Sequence, residues 1–396
     1  MAPHALQDPH DSTGYTPSLV NYAKLLPHVR VHSKLKVSAP IRAVITSNDA
    51  FDELTVEERK SPYFRHLSLE EIRNVEASVK QFQSLKLPFH AISQETFPVS
   101  ESLRAKLKDV IRAVYGEHQF LIISGLDTSQ YSDVENIIIH AGLSSHVGSK
   151  RGMPGREGGD NTVLNHIIAM LASPKGSTGQ YHAPPNQARD IPFHTDNGDI
   201  VSLFTISASE SGGSFYLADS TAVYKDLKAL KPKLARALVD DWTMVSPSAS
   251  KNCDVRPIAF PQHESDRVLI NCSRARITGT PCAPRPASLP ALTKTQREAI
   301  DALHILAMSR AIEIQLQPGD MIFFNNLTLM HARDAFVDNG AEGQKRHLLR
   351  LILRNEEAAY ELPRQLAETW EALYEHDVEE EKFPVKKELF TWACSH

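Results

Sequence analysis

Cysteine is scarce in this chain, with four in 396 residues. Cys253, Cys272, Cys282 and Cys394 show no CxxC spacing, which argues against a disulfide framework or a zinc knuckle; reduced thiols and a cytoplasmic setting are the expectation. Long apolar runs are absent: no stretch approaches the roughly 18 residues that a membrane-spanning helix needs. The first residues, Met1 to Tyr22, have no apolar core and few arginines, so neither a secretory signal nor a transit peptide is expected there. Clustered positive charge is missing too. A net charge of −5 and a pI near 6.4 give no electrostatic reason to expect nucleic acid as a partner. The partner to expect is a small-molecule substrate, with no membrane, and the oligomeric state is left open.

What is present is ordinary globular composition, 41% hydrophobic and 23% charged, long enough to enclose a dry cavity. Prolines at 3, 9, 17, 27 and 40 interrupt any period, so residues 1–40 read as a loosely ordered lead-in and 41–396 as a single domain. Ser68 with Glu71 makes a capping box ahead of an apolar stripe at Ile72, Val75, Val79 and Phe82. A second helix is expected after Ser100, and a short buried strand at Phe120–Ser124. Further strands are expected over 200–206, 214–217, 242–245, 268–271, 312–316, 321–324 and 347–353. Helices are expected at about 221–239, capped by Thr221, and 294–309, capped by Thr293 with Gln296. Gln317-Pro-Gly-Asp320 suits a type II turn. Many short strands with scattered helices predict an α+β protein with a double-stranded β-helix (jelly-roll) core wrapped by helices.

Three pieces carry chemistry. In Phe193-His194-Thr195-Asp196, strand alternation puts residues i and i+2 on one face, so His194 and Asp196 reach one metal ion. Two imidazoles and one carboxylate on one side of an ion make the facial triad of non-haem Fe(II) oxygenases. With 18 histidines, about one His-x-Asp arises from composition alone, so the motif needs context. His331, after the apolar run Met321–Phe324, supplies a second imidazole at the same cavity mouth. The third piece is Arg346-His-Leu-Leu-Arg350-Leu-Ile-Leu-Arg354. Alternation places Arg346, Leu348, Arg350, Ile352 and Arg354 on one face and His347, Leu349, Leu351 and Leu353, a mainly leucine face, on the other. The leucine face must pack inward, so the arginine face meets solvent or lines a polar cavity. A planar guanidinium suits a carboxylate because it donates two parallel hydrogen bonds.

The order His194-x-Asp196, Gly212-Gly213, Pro318-Gly-Asp320, His331, then Arg346 with Arg350 resembles the taurine dioxygenase/TfdA-like family of Fe(II)- and 2-oxoglutarate-dependent dioxygenases, especially fungal members of secondary metabolism. The resemblance implies a jelly-roll fold with His194, Asp196 and His331 as iron ligands and Arg346 as the clamp for the distal carboxylate of 2-oxoglutarate. It also implies O2 as co-substrate, with succinate and CO2 released while a substrate C–H bond is oxidised. It places Arg350 where some members contact an acidic substrate group, a second co-substrate contact being the alternative; Arg333 and Arg354 are further candidates for an anion on the substrate, which suggests an amino acid or small acid. Relatives often carry a Thr or Ser after the double glycine that bonds the same carboxylate; here Phe215 falls there, and Ser214, one place early, is the candidate substitute. Asp196 stands where family halogenases carry a small residue, so halogenation is not expected. Two other readings of the ligand set are a non-catalytic metal-binding jelly roll and a zinc-dependent hydrolase or isomerase.

Overall fold

Hydrogen-bonding side chains set where the helices begin. The computed structural model describes residues 15–17, 35–36, 62–116, 118–156, 159–168, 184–246, 251–281, 283–338 and 345–385. The lead-in expected over 1–40 lies almost entirely outside these. Ser68 and Glu71 close the capping box of α1 (Leu69–Leu85), and the Ser100 hydroxyl caps α2 (Glu101–Tyr115). Ser132 and Glu135 cap α3 (Asp133–Ser145), a helix that the sequence reading omits. Every residue from Asn136 to Ser145 is buried, so no polar face marks its period.

The helix expected at 221–239 is two helices. Asp219, not Thr221, caps α4 (Ser220–Leu230), and α5 (Pro232–Val239) restarts at Pro232. Proline has no N–H to continue the ladder of α4 but fits the first turn of a new helix. Thr293 and Gln296 cap α6 (Lys294–Arg310), as expected, and α7 (Arg364–Tyr374) follows the last strand.

Among the described residues, twelve strands build two sheets. They are β1 (Leu35–Lys36), β2 (Phe64–His66), β3 (Phe120–Ser124), β4 (Lys150–Arg151), β5 (Asn165–Ile168), β6 (Ile191–His194), β7 (Ile200–Ser207), β8 (Phe215–Asp219), β9 (Ile312–Ile314), β10 (Met321–Asn325), β11 (Leu329–Arg333) and β12 (His347–Arg354). The larger sheet runs β2-β3-β10-β7-β12-β4, with β5 also paired to β12; the smaller runs β1-β9-β8-β11-β6. Short side hairpins, such as Trp242–Val245 with Cys253–Arg256, lie outside both.

Three apolar clusters define the layers. Phe120, Val201, Leu203, Ile322 and Leu348 from the larger sheet meet Phe215, Leu217 and Leu329 from the smaller one, so the two sheets face each other. The outer face of the larger sheet is covered by α1, α2 and α3, and that of the smaller by α4, α5 and α6. The result is the expected jelly-roll sandwich with helices on both outsides. In β12, Leu349, Leu351 and Leu353 pack under the helices while Leu348 and Ile352 point between the sheets. The arginine-bearing face therefore lies inside the sandwich, not in solvent.

The Gln317–Asp320 turn forms as the sequence predicts: the Asp320 N–H donates to the Gln317 carbonyl at 3.0 Å, and Gly319 has φ +90°. A side chain at Gly319 would place its Cβ 1.8 Å from the Leu126 carbonyl oxygen, so glycine is required twice over. Leu351 is fully buried under the helical layer. Leu351→Ala is expected to cost about 2–5 kcal/mol of stability, read as a lowered denaturation midpoint with an unchanged denaturant slope.

Candidate metal centre

β6 and β11 run antiparallel with His194 opposite His331, their ring centroids 4.1 Å apart. The sequence placed His331 just beyond the strand that begins at Met321. It lies instead within β11, in the opposite sheet. The Asn325 side chain accepts from the N–H groups of Leu327 and Thr328, turning the chain from β10 in one sheet to β11 in the other.

Asp196 reaches the same point by another route. β6 ends at His194, so strand alternation stops short of Asp196. Its backbone is held by Asn326: the Asp196 N–H donates to Asn326 Oδ1 at 2.8 Å, and Asn326 Nδ2 donates to the carbonyls of Asp196 at 2.8 Å and Gly198 at 2.7 Å. Asn271 Nδ2 donates to the same Asp196 carbonyl at 3.1 Å. Gly198 has φ +124°, and a Cβ there would lie 2.2 Å from Ile352 Cγ2. Sequence reasoning missed Asn271 and Asn326. The one signal for the second was an Asn-Asn pair directly after an apolar strand.

One donor atom from each of His194, Asp196 and His331 lies within 4.8 Å of the others. His194 Nε2 and Asp196 Oδ1 are 4.0 Å apart. His194 Nδ1 lies 2.9 Å from the Pro192 carbonyl, which only accepts, so Nδ1 carries the proton and Nε2 keeps its lone pair. His331 Nδ1 is buried with no hydrogen-bond partner among the described residues. Burial pulls both histidines below their ordinary pKa and keeps them neutral. Burial pushes the Asp196 carboxyl up, but the Arg350 guanidinium paired with it outweighs burial and holds the group below the usual carboxylate range. Two neutral imidazoles and one carboxylate are the ionisation states that a divalent cation requires. The orphaned imidazole nitrogen and the donor set fit iron(II) held from one side.

The triad opens on a cavity between the sheets, walled by Val201, Leu203, Phe215 and Leu348 and flanked by three arginines, Arg333, Arg346 and Arg350. All three are nearly buried. The structure sorts the four arginines that the sequence could not. Arg354 does not line the cavity; it pairs with Asp199 at 2.7 Å, which also accepts from the Trp370 indole at 2.5 Å. Arg333 is enclosed by backbone carbonyls of Pro185, Gln187, Arg189 and Asp334 and holds the segment leading into β6. Arg350 donates to Asp196 Oδ2 at 2.9 Å and to Asn165 Oδ1 at 3.1 Å. Among the described residues, only the Arg346 guanidinium of these four has no hydrogen-bond acceptor. It sits 5.2 Å from the centre of the Phe336 ring, and burial pushes its pKa down to about 10, leaving it charged near neutrality.

Ser214 is on the wrong side of its strand for the role the resemblance suggested. Arg333 and Phe215 are partners in the β11–β8 register, and Phe215 faces the cavity. The Ser214 hydroxyl donates to Glu313 Oε1 at 2.9 Å and accepts from Gln315 Nε2 at 3.1 Å, away from the cavity lining.

Residues 81–352, more than half of the chain, match the model of the taurine catabolism dioxygenase TauD, TfdA family. The chain belongs to that family. It is an iron- and 2-oxoglutarate-dependent dioxygenase, which sets aside the zinc-hydrolase and non-catalytic readings of the ligand set. Among curated relatives, it is 31% identical over 320 residues to the taurine hydroxylase-like protein SAT17 of Stachybotrys chartarum, covering 80% of this chain and 82% of that one. It is 23% identical over 264 residues to FR-33289 synthase of Streptomyces rubellomurinus, covering 63% and 74%. Among solved structures, the fold is similar to asparagine oxygenase in complex with Fe(II), 2S,3S-3-hydroxyasparagine and succinate, with a TM-score of 0.56, 17% identity, and 74% and 94% of the two chains covered. It is also similar to the non-haem iron oxygenase OrfP with Fe, succinate and (3S)-hydroxy-L-Arg, with a TM-score of 0.55, 14% identity and the same coverage. No helix of the described residues is long and apolar enough to cross a membrane.

His331→Ala removes one imidazole without touching the arginines. Anaerobic titration with Fe(II) is expected to show saturable binding to the wild-type protein and none to the variant at the same concentrations; equal binding by both would remove His331 from the site.

Proposed function

We propose that this chain is one oxygenase domain over residues 41–396, in which His194, Asp196 and His331 hold Fe(II) and Arg346 anchors the distal carboxylate of 2-oxoglutarate, to oxidise a C–H bond of a small amino acid or carboxylic acid. Arg346 is the observation that carries the reading. A buried guanidinium with no acceptor among the described residues is costly, and an anionic ligand relieves that cost. A dicarboxylic 2-oxo acid has one end for the metal and a charged end for Arg346.

Each part of the chain then has a task. The three ligands occupy one side of the ion and leave the other open. Arg346 fixes the far end of the co-substrate, and Val201, Leu203, Phe215 and Leu348 exclude water around its methylenes. The bound iron with 2-oxoglutarate and O2 supplies the oxidising chemistry. With Ser214 turned away, Arg346 supplies the carboxylate contact without the neighbouring hydroxyl found in relatives. Whether the outcome is hydroxylation, desaturation or ring closure follows from how the substrate lies against the iron. The hydroxylated amino acids bound in the asparagine oxygenase and OrfP complexes support an amino-acid substrate, and the likeness to FR-33289 synthase supports a place in secondary metabolism. Sparse cysteines, with Cys253 and Cys272 free among the described residues, fit a reducing compartment such as the cytoplasm.

Arg346→Ala is expected to raise the KM for 2-oxoglutarate by about 30-fold or more, the equivalent of losing at least ~2 kcal/mol from a buried charged contact, with Fe(II) affinity unchanged. A change in substrate KM alone would mean that Arg346 serves the substrate. A second measurement tests the co-substrate itself: anaerobic Fe(II) with 2-oxoglutarate should give a weak visible charge-transfer band. Succinate release in air, screened across amino acids and small acids, identifies the substrate; no band and no succinate with any of them would end the 2-oxoglutarate reading.

A further inference from the structure

We propose that Asn165 and Arg350 form a positioning pair for the Asp196 carboxylate, so that Arg350 serves the metal site and not an anion on the substrate. This rests on the triad reading above and extends it to two residues that touch neither the ion nor the co-substrate. Asn165 lies on β5 and Arg350 on β12, directly paired in the antiparallel register. Opposed residues in such a ladder project to the same face with their Cβ atoms about 5 Å apart, so the amide and the guanidinium meet because the backbone pairing brings them together. Both are almost fully buried.

The guanidinium divides its two terminal nitrogens. Nη2 donates to Asn165 Oδ1 at 3.1 Å, and Nη1 donates to Asp196 Oδ2 at 2.9 Å. Two donors at fixed separation on a planar fork tie both acceptors in one orientation, which the rotating donors of an ammonium do not. The consequence falls on the carboxylate. With Oδ2 held by Arg350, Oδ1 is the oxygen left toward His194, 4.0 Å from Nε2. Asp196 follows the end of β6, so its backbone is fixed by Asn326 and Asn271 but its side-chain rotation is not. Arg350 supplies that restraint from the facing sheet, and Asn165 fixes the orientation of Arg350 at the cavity wall. Groups that orient metal ligands by hydrogen bonding typically cost about 10–100-fold in metal affinity when removed.

The test is an anaerobic titration of the full-length protein with Co(II), followed by its d–d absorption, and repeated with Fe(II). Asn165→Leu is expected to bind Co(II) about 10–100-fold more weakly than wild type, while 2-oxoglutarate affinity at saturating Co(II), set at Arg346, stays the same. Arg350→Ala is expected to lose at least as much, and the double variant to lose no more than Arg350→Ala alone, because Asn165 acts only through Arg350. Asn165→Asp keeps an acceptor of the same shape and should retain wild-type affinity; a role in general stability would not give this rescue. If Asn165→Leu does not fold, Arg350→Lys, which keeps the charge but not the fork, carries the comparison and should be about 10-fold weaker than wild type. Unchanged affinity in Asn165→Leu or Arg350→Lys, or additive losses in the double variant, would overturn the pair. Wild-type protein that binds no Co(II) or Fe(II) would overturn the triad reading instead, so the two failures are distinguishable.

Discussion

Asp196 and Arg350 meet between the two sheets, and the site is organised around that contact. Asp196 belongs to the end of β6 in the smaller sheet, and Arg350 to β12 in the larger. A carboxylate so largely shielded from solvent is driven toward its neutral form, and a neutral acid is a poor metal ligand. The guanidinium opposite reverses that balance. Two buried charges are tolerated only when their remaining hydrogen-bonding capacity is also met. Asn165 meets part of it for Arg350, while Asn326 and Asn271 fix the Asp196 backbone from the other side.

The pair also requires the sheets to be close and in one fixed relation, and the apolar layers provide this. Phe120, Leu203, Ile322 and Leu348 interdigitate with Phe215 and Leu217 beside the cavity. Close packing of this kind transmits small displacements, so core residues far from the triad help determine where the ligands stand. The helices on the two outer faces complete the arrangement. Through Trp370, Arg354 and Tyr374, the C-terminal part of the chain holds Asp199, three residues beyond the ligand carboxylate.

Much of this was legible in the residues. The capping boxes at Ser68 and Thr293 gave helix starts, and the leucine face of β12 gave the core side of that strand. The order of His194, Asp196, His331 and Arg346 gave the family. What escaped has a physical cause in each case. α3 is buried all round and has no amphipathic stripe; Pro232 divides a helix whose apolar periodicity runs through it. Ser214 and Phe215 differ by one residue, and in a strand one residue is the difference between inside and outside.

The sequence by itself determined the local chemistry: which residues carry imidazole, carboxylate and guanidinium, and which faces of the strands are apolar. Only the tertiary structure decided what each arginine does. Arg333, Arg346, Arg350 and Arg354 are the same group within 22 positions, and alternation even puts three of them on one strand face. Their roles separate because their acceptors come from elsewhere: carbonyls of 185–189 for Arg333, Asp196 and Asn165 for Arg350, Asp199 for Arg354. Arg346 has no such acceptor among the described residues. A buried charge takes its meaning from its partners, and those partners are distant in sequence.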